Sequence, residues 1–172
     1  MASALHCIVL FCLTSGLWME ANVRNICYVV ATDNTVACPA GWTQFCSRCF
    51  MFNHEEKDWA DAETSCIASG GNLASVKTAN EYTFIRELVK RAAGSDKTSW
   101  IGGYDAVKEG LWEWSDGSKF DFKSWGKKES NNMKKQENCM EINFKGRDYV
   151  NDSSCSLKRS FVCSTDPSPI PI

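Results

Sequence analysis

Residues 58–76 read DWADAETSCIASGGNLASV, a stretch whose pattern indicates how the chain begins to fold. Apolar residues recur in it at the three- and four-residue intervals of a helix with one buried face, namely Trp59, Ala62, Cys66 and Ile67. Gly70 and Gly71 end this pattern, as a cap at a helix C-terminus does, and Asn72–Val76 is predicted to be extended. The stretch therefore predicts a first helix from Asp58 to Ser69.

A second helix is predicted directly after this stretch. Thr78–Glu81 has the sequence of a capping box, in which a Thr hydroxyl and a Glu carboxylate bind amides at the start of a helix. An apolar stripe at helical spacing follows, made of Tyr82, Ile85, Leu88 and Val89. The pattern predicts a helix from Thr78 to about Ala92.

The rest of the chain has the pattern of short strands. Aromatic and apolar runs separated by Gly, Asp and Asn are typical of strands, and they occur at Ser99–Gly102, Leu111–Trp114, Met140–Phe144 and Ser160–Cys163. Asp116–Asn138 lacks periodicity and is predicted to be a long irregular loop, packed on the core through its aromatic residues. Core positions are also predicted for Trp100, Trp112, Trp114 and Trp125. The fold class is α+β, with two helices and short antiparallel strands.

The two ends of the chain differ from its middle. Met1–Trp18 is apolar but too short to span a bilayer comfortably, so residues 1–21 are predicted to be a secretory signal peptide cleaved near residue 16 or 21. An uncleaved anchor is the alternative. We expect an N-terminal segment at 22–37, one domain at 38–164 and a Pro-rich tail at 165–172. The predicted location is extracellular, with no membrane partner.

Eight cysteines follow the predicted signal peptide, in roughly 150 residues. They are Cys27, Cys38, Cys46, Cys49, Cys66, Cys139, Cys155 and Cys163. An even number at this density predicts a disulfide framework in an exported protein. Zinc is the alternative, because Cys46 and Cys49 form a C-x-x-C pair, but no second pair exists and His54 is the only histidine beyond the signal.

Two broad functional classes are disfavoured by composition. A formal net charge of −2 without a continuous basic stripe argues against a nucleic-acid partner. One histidine beyond the signal and no Gly-rich phosphate loop argue against an enzyme. Asp61 and Glu63 are interpreted as a solvated helix face rather than an acid pair. The sequence therefore favours a binding protein.

Five oxygen-bearing side chains between residues 129 and 152 suggest what is bound. They are Glu129, Asn131, Glu137, Asn151 and Asp152. Calcium takes roughly 6 to 8 oxygen ligands, and mixed carboxylates and amides supply them well. A disulfide between Cys139 and Cys155 would hold the last part of this segment together. The prediction is a calcium site; a plain polar loop is the alternative.

Taken together, these motifs resemble the C-type lectin-like domain, most closely the small secreted C-type lectins of fish and the related type II antifreeze proteins. The resemblance covers about Cys38–Cys163. The segments that carry it are Cys38–Trp42, Arg48–Phe50, Trp59–Ala62, Asn72–Ser75, Trp100–Gly103, Trp112–Trp114 and Val150–Asp152. It implies the disulfides Cys38–Cys49, Cys66–Cys163 and Cys139–Cys155. Cys27 and Cys46 remain, and we favour a bond between them over a link between two subunits.

The resemblance also implies roles for the five oxygen-bearing residues. All five would bind calcium, and Glu129, Asn131, Glu137 and Asn151 would also bind sugar hydroxyls. Glu before Asn resembles the mannose-type arrangement, which is favoured over the galactose type because residues 132–136 contain no aromatic ring for stacking. The family's proline and tryptophan are replaced by Ser130 and Val150. A cis bond before Ser costs about 2–3 kcal/mol more than before Pro, so calcium binding is weakened if that geometry is kept.

The predicted function is that of a secreted, calcium-dependent, carbohydrate-binding lectin. Innate recognition of microbial glycans would follow from clustered sites, in a disulfide-linked or non-covalent oligomer. The alternatives are an ice-binding protein of the type II antifreeze kind and a calcium-independent protein-binding domain, as in mucus or venom factors. Asn151–Ser153 also matches the N-glycosylation pattern, and a glycan there would destroy the site. We predict that this match is unused because it lies close to Cys155 on a predicted strand.

Overall fold

Two helices and ten short strands form the described part of the chain, residues 36–122 and 137–169 of the computed structural model. Helix α1 spans Trp59–Ala68 and helix α2 spans Ala79–Ala93. The strands are β1 Val36–Ala37, β2 Thr43–Phe45, β3 Arg48–Lys57, β4 Asn72–Leu73, β5 Ser99–Tyr104, β6 Glu113–Trp114, β7 Cys139–Ile142, β8 Val150–Ser153, β9 Arg159–Thr165 and β10 Ser168–Pro169. A 3₁₀ turn at Phe144–Gly146 precedes β8. The predicted α+β class is confirmed.

Eight of these strands form one sheet. Its order is β2-β3-β9-β5-β7-β8, with β4 beside β9 and β6 beside β5. Strands β1 and β10 pair separately. The prediction of antiparallel strands is incomplete, because β5 and β9 run parallel, with Ser99 opposite Ser160. A parallel pair needs a long connection, and here β6, β7 and β8 intervene in the chain.

Helix α1 lies where the sequence predicted it, with one error in its buried face. The Asp58 side chain caps it by accepting from the Asp61 amide at 2.9 Å. Ala62 and Cys66 are fully buried, but Ile67 is 57% exposed. The predicted burial of Ile67 is therefore wrong. The buried face of α1 is narrow because small residues fill it.

Glu63, on the same helix, corrects the interpretation of a solvated face. Its carboxylate accepts hydrogen bonds from the Leu73 amide at 2.7 Å, from the Asn72 amide group at 2.6 Å and from the Ser115 hydroxyl at 3.0 Å. Strand β4 has a strand neighbour in β9, and Glu63 contacts β4 as well. The residue joins α1 to the sheet, whereas Asp61 remains exposed, as predicted.

Helix α2 confirms half of the predicted capping box. The Thr78 hydroxyl accepts from the Glu81 amide at 3.1 Å, but the Glu81 carboxylate accepts from the amide of Lys77 rather than that of Thr78, at 2.6 Å. The same carboxylate pairs with Arg48 at 3.0 Å. The buried stripe consists of Tyr82, Ile85 and Val89, with Leu88 half-buried. The Glu81 carboxylate thus binds both an amide at the start of α2, through Oε2, and the buried Arg48, through Oε1.

Two apolar clusters fill the space between helices and sheet. One joins α2 to sheet residues that include Phe50, Ile101 and Met140, and the other joins α1 to Trp100 and Phe161. Trp100 and Trp114 are buried as predicted, whereas Trp112 is half-buried. Trp125 lies outside the described residues. A side chain at Gly102 would place its Cβ 2.6 Å from the Leu73 carbonyl oxygen, so β5 and β4 approach closely only because this residue is glycine.

Three disulfides connect the elements, with the pairing that the resemblance implied. They are Cys38–Cys49, Cys66–Cys163 and Cys139–Cys155. The second joins α1 to β9, and the third joins β7 to the residues after β8. Cys46 is also disulfide-bonded. The predicted Cys27–Cys46 bond stays a prediction, because Cys27 lies outside the described residues.

A buried guanidinium organises the polar part of the core. Arg48 on β3 is 5% exposed and donates to the Ser75 carbonyl and hydroxyl, both at 3.0 Å, and to the Ser164 hydroxyl at 2.7 Å. It pairs with Glu81 at 3.0 Å and lies 3.8 Å from Asp116. Because a carboxylate is costly to bury without a cation, the arrangement depends on Arg48.

Replacing Arg48 with methionine should therefore lower the free energy of unfolding by about 3–5 kcal/mol, because Glu81 loses its buried partner. Urea unfolding of the oxidised protein measures the change. The matched control is Lys119→Met, since Lys119 is 85% exposed and pairs with Asp121 at 3.7 Å. We expect less than about 1 kcal/mol from the control. Equal losses in the two variants would contradict this role for Arg48.

Candidate functional site

Strands β7 and β8 carry most of the described part of the predicted calcium site. Their register places Asn151 opposite Glu141 and Asp152 opposite Met140. Asn151 is 5% exposed and Asp152 is 1% exposed. Glu137 is half-buried and lies two residues before β7. The structure thus brings Asn151 and Asp152 together on one strand and sets Glu137 beside the neighbouring strand.

The remaining two predicted ligands, Glu129 and Asn131, lie outside the described residues. Their proximity to the other three stays a prediction. So does the effect of Ser130, which lies in the same segment.

A chain of hydrogen bonds runs behind Asn151. Its side-chain nitrogen donates to Glu141 Oε1 at 2.9 Å and to the Asp152 carbonyl at 2.7 Å. Glu141 is fully buried, and Arg159 Nε donates to its other oxygen, Oε2, at 3.0 Å. Burial raises the pKa of Glu141, while Arg159 and Asn151 oppose that rise. The Glu137 charge raises this pKa further, so Glu137 lies within electrostatic reach.

Asp105 is a site residue that the sequence reasoning missed. It follows β5 directly, is 2% exposed, and accepts from the Gly110 amide through Oδ2 at 2.8 Å. Its Oδ1 is buried and has no hydrogen-bond partner among residues 36–122 and 137–169. Burial raises the pKa of Asp105, and the nearby Asp152 charge raises it further. A buried carboxylate oxygen without a donor is destabilising, and a bound cation would compensate it.

Glu109 extends the acidic character of the same loop. It is exposed, and its pKa is raised by partial desolvation and by the charges of Asp105 and Asp152. Asp105, Glu109 and Asp152 therefore share one electrostatic environment. The sequence contains a signal for Asp105 and Glu109. Asp105 directly follows a buried strand, and Glu109–Gly110 comes four residues later.

The donor set fits calcium in chemical type, because carboxylates and amides supply only oxygen ligands. Within residues 36–122 and 137–169, however, no three acidic, histidine or cysteine side chains are grouped closely enough to hold a metal ion by themselves. A complete ligand shell needs further oxygens. The predicted Glu129 and Asn131 are the residues that would supply them.

The glycosylation match at Asn151 falls on a buried side chain. Asn151 donates two hydrogen bonds through the nitrogen that a glycan would occupy. The folded domain has no room for a sugar at this nitrogen, which supports the prediction that the match is unused.

An aromatic cleft of about 390 Å³ begins at the acidic loop. Tyr104 and Leu111, which flank residues 105–110, line it together with Trp112 and Phe120. Glu113 and Lys119 supply charged groups to its lining. The lining of the cleft combines aromatic rings with hydrogen-bonding groups, a combination suited to sugar rings.

Comparison with known proteins identifies the family to which these features belong. The family model of the lectin C-type domain matches residues 55–165. The galactose-specific lectin nattectin of Thalassophryne nattereri is 45% identical over 164 residues, which cover 95% of this chain and 98% of nattectin. The lactose-binding lectin l-2 of Anguilla japonica is 40% identical over 132 residues, covering 74% of this chain and 77% of the lectin.

Solved structures give the same fold. The herring type II antifreeze protein superposes with a TM-score of 0.68 at 34% identity, covering 75% of this chain and 98% of that protein. The predicted resemblance to fish lectins and type II antifreeze proteins is confirmed.

The raised pKa of Asp105 predicts how stability varies with pH when calcium is absent. The folded state holds the Asp105 proton more tightly than the unfolded state, so the free energy of unfolding should fall as pH rises from about 3.8 through the raised pKa. Asp105→Asn should remove this part of the pH dependence. Urea unfolding at a series of pH values with chelator measures it. The control is Asp121→Asn, at a carboxylate that is 56% exposed; an identical pH profile in wild type and Asp105→Asn would contradict the assignment.

Proposed function

This chain belongs to the C-type lectin family, and on that premise we propose that it is a secreted protein that binds carbohydrate through calcium. The prediction of a non-enzymatic protein is confirmed by the family and by its lectin and antifreeze relatives. The observation that carries the calcium proposal is the buried Asp105 Oδ1, which has no hydrogen-bond partner within the described part of the chain and lies in the electrostatic field of Asp152. A divalent cation is the simplest group that stabilises such an arrangement.

The proposed ligands are the five residues predicted from the sequence, Glu129, Asn131, Glu137, Asn151 and Asp152, together with Asp105 through Oδ1. Calcium bound there would supply a positive charge and open coordination positions for sugar hydroxyls. The protein's contribution is to hold the oxygens in place. The β7–β8 ladder and the Cys139–Cys155 disulfide do this for Asn151 and Asp152.

For the sugar, we propose a galactoside rather than the mannose-type ligand that the Glu129–Asn131 triplet favours. Relatives named galactose-specific and lactose-binding support this choice. The sequence argument against galactose was the lack of an aromatic ring in residues 132–136. The cleft lined by Tyr104, Trp112 and Phe120 supplies rings from another part of the chain. The apolar face of a galactose ring can stack on them.

Secretion is supported by the disulfides, which form and persist in oxidising compartments. Among the described residues no helix is long and apolar enough to cross a bilayer. We retain the proposed boundaries of a signal peptide at 1–21, an N-terminal segment at 22–37, a lectin domain at 38–164 and a tail at 165–172. Recognition of microbial surfaces would follow from clustering several weak sites in an oligomer.

Ice binding is the second candidate function, and the structural likeness to the herring type II antifreeze protein favours it. The two candidates differ in a simple measurement. An ice-binding protein shows thermal hysteresis, the separation of freezing and melting temperatures, whereas a lectin does not. Hysteresis without retention on a sugar column would favour the second candidate.

The calcium proposal predicts that wild-type protein is retained on immobilised lactose with calcium and is released by chelator. Asp152→Asn and Glu137→Gln should each weaken calcium binding about tenfold or more, equivalent to about 1.4 kcal/mol, because each removes a negative ligand. Isothermal titration with calcium measures the change. Asp121→Asn is the control for loss of one negative charge, since Asp121 is exposed. Retention that survives chelator would exclude calcium dependence.

The sugar proposal predicts that free galactose elutes the protein from the column at lower concentration than free mannose. Galactose and mannose should be compared at matched calcium concentration, because the ion is part of the proposed site. Elution by mannose at the lower concentration would contradict the galactoside proposal and support the mannose-type specificity that the Glu129–Asn131 triplet favours. Elution by neither sugar would count against carbohydrate binding altogether.

A further inference from the structure

Glu141 is fully buried beside the proposed site, yet it is not one of the predicted ligands. Burying a carboxylate is unfavourable unless a cation and hydrogen-bond donors compensate it. Here Oε1 accepts from Asn151 and Oε2 accepts from Arg159, so each oxygen has a donor. Among the predicted ligands that the structure describes, the one hydrogen-bonded to this carboxylate is Asn151.

The chemistry of this contact fixes the orientation of the Asn151 amide. An amide side chain has two N–H donors on its nitrogen and an acceptor oxygen on the other arm. An ionised carboxylate, such as that of Glu141, can only accept hydrogen bonds. The nitrogen must consequently face Glu141, since the opposite orientation would set two oxygens against each other at 2.9 Å. The second N–H is used by the Asp152 carbonyl at 2.7 Å. Because both N–H groups are bonded, Oδ1 is the atom of the Asn151 amide that can bind a cation.

We propose that Glu141, anchored by Arg159, is a positioning residue that holds the Asn151 amide with Oδ1 toward calcium and withholds its N–H groups from sugar. This inference rests on the proposed function of the same site. It changes the role expected for Asn151 in sugar binding. The residue contributes an acceptor only, so a hydroxyl beside it must donate.

Arg159 is held so that it can anchor Glu141. Its guanidinium lies 5.9 Å from the centre of the Trp100 ring and donates to the Lys158 carbonyl at 3.2 Å. Its side chain is 26% exposed, whereas that of Glu141 is not exposed. The positive charge of Arg159 compensates Glu141 from the side opposite Asn151, because the two donors bind different carboxylate oxygens.

The first test needs no calcium. In chelator-treated protein, the side-chain NH₂ group of Asn151 should exchange its hydrogens slowly by NMR, because both N–H groups are bound and buried. Glu141→Gln should speed that exchange, since the Gln oxygen is drawn to Arg159 and its NH₂ then faces Asn151. The matched control is Glu81→Gln, which removes a buried carboxylate paired with a different arginine, Arg48. The control should leave Asn151 exchange unchanged.

The second test is calcium titration of the same variants. Glu141→Gln should weaken calcium binding by about 10- to 100-fold, the usual effect of losing a residue that orients a metal ligand. Glu81→Gln should leave calcium affinity unchanged even though it destabilises the fold.

The outcomes separate the two proposals. Wild-type protein that binds no calcium but keeps a protected Asn151 NH₂ group, with protection lost in Glu141→Gln, would overturn the proposed function and uphold the positioning role. Calcium affinity and Asn151 exchange that are both unchanged in Glu141→Gln would overturn the positioning role and leave the proposed function standing.

Discussion

The buried guanidinium of Arg48 is the interaction on which the arrangement of helices and sheet depends. It projects from β3, bonds Ser164 on β9, and pairs with Glu81 at the start of α2. Strand β9 is the neighbour of both β3 and β5, and β5 in turn pairs with β7. The candidate site on β7 and β8 therefore belongs to a sheet whose other half is joined to α2 by this charged group. The apolar clusters fill the space between these elements, but apolar contacts are not directional. The hydrogen bonds of the Arg48 guanidinium are directional, so they specify how the elements are oriented.

Much of the fold is readable from local sequence, and the exceptions have a common cause. The starts of both helices are predicted within a residue because Asp58 and Thr78 act through neighbours in the chain. Glu63 and Glu81 were misjudged because their decisive partners, on β4 and β3, are brought to them by tertiary structure. Sequence spacing alone therefore mispredicts side chains whose hydrogen-bond partners lie on elements distant in the chain.

The candidate site shows the same division. Asn151 and Asp152 were identified through the motif that carries the family resemblance, and the structure places them together on β8. Asp105 was not predicted because it is far from Asp152 in the sequence. The pairing of β5 with β7 and of β7 with β8 brings the two within electrostatic reach. Glu141 was not predicted as a site residue because no sequence pattern distinguishes one acidic residue within an apolar strand. Its importance depends on Arg159, which arrives from β9.

The bonded nitrogen of Asn151 has a consequence for how this chain is made. Glycosyl transfer to an Asn-x-Ser sequence acts on an unfolded or emerging chain, whereas here the acceptor nitrogen becomes inaccessible once β7 and β8 pair. In a secretory compartment, folding and glycan attachment would therefore compete for the same atom. A molecule modified first could not close its ladder around Glu141. A glycan found at Asn151 would thus identify molecules that were glycosylated before β7 and β8 paired.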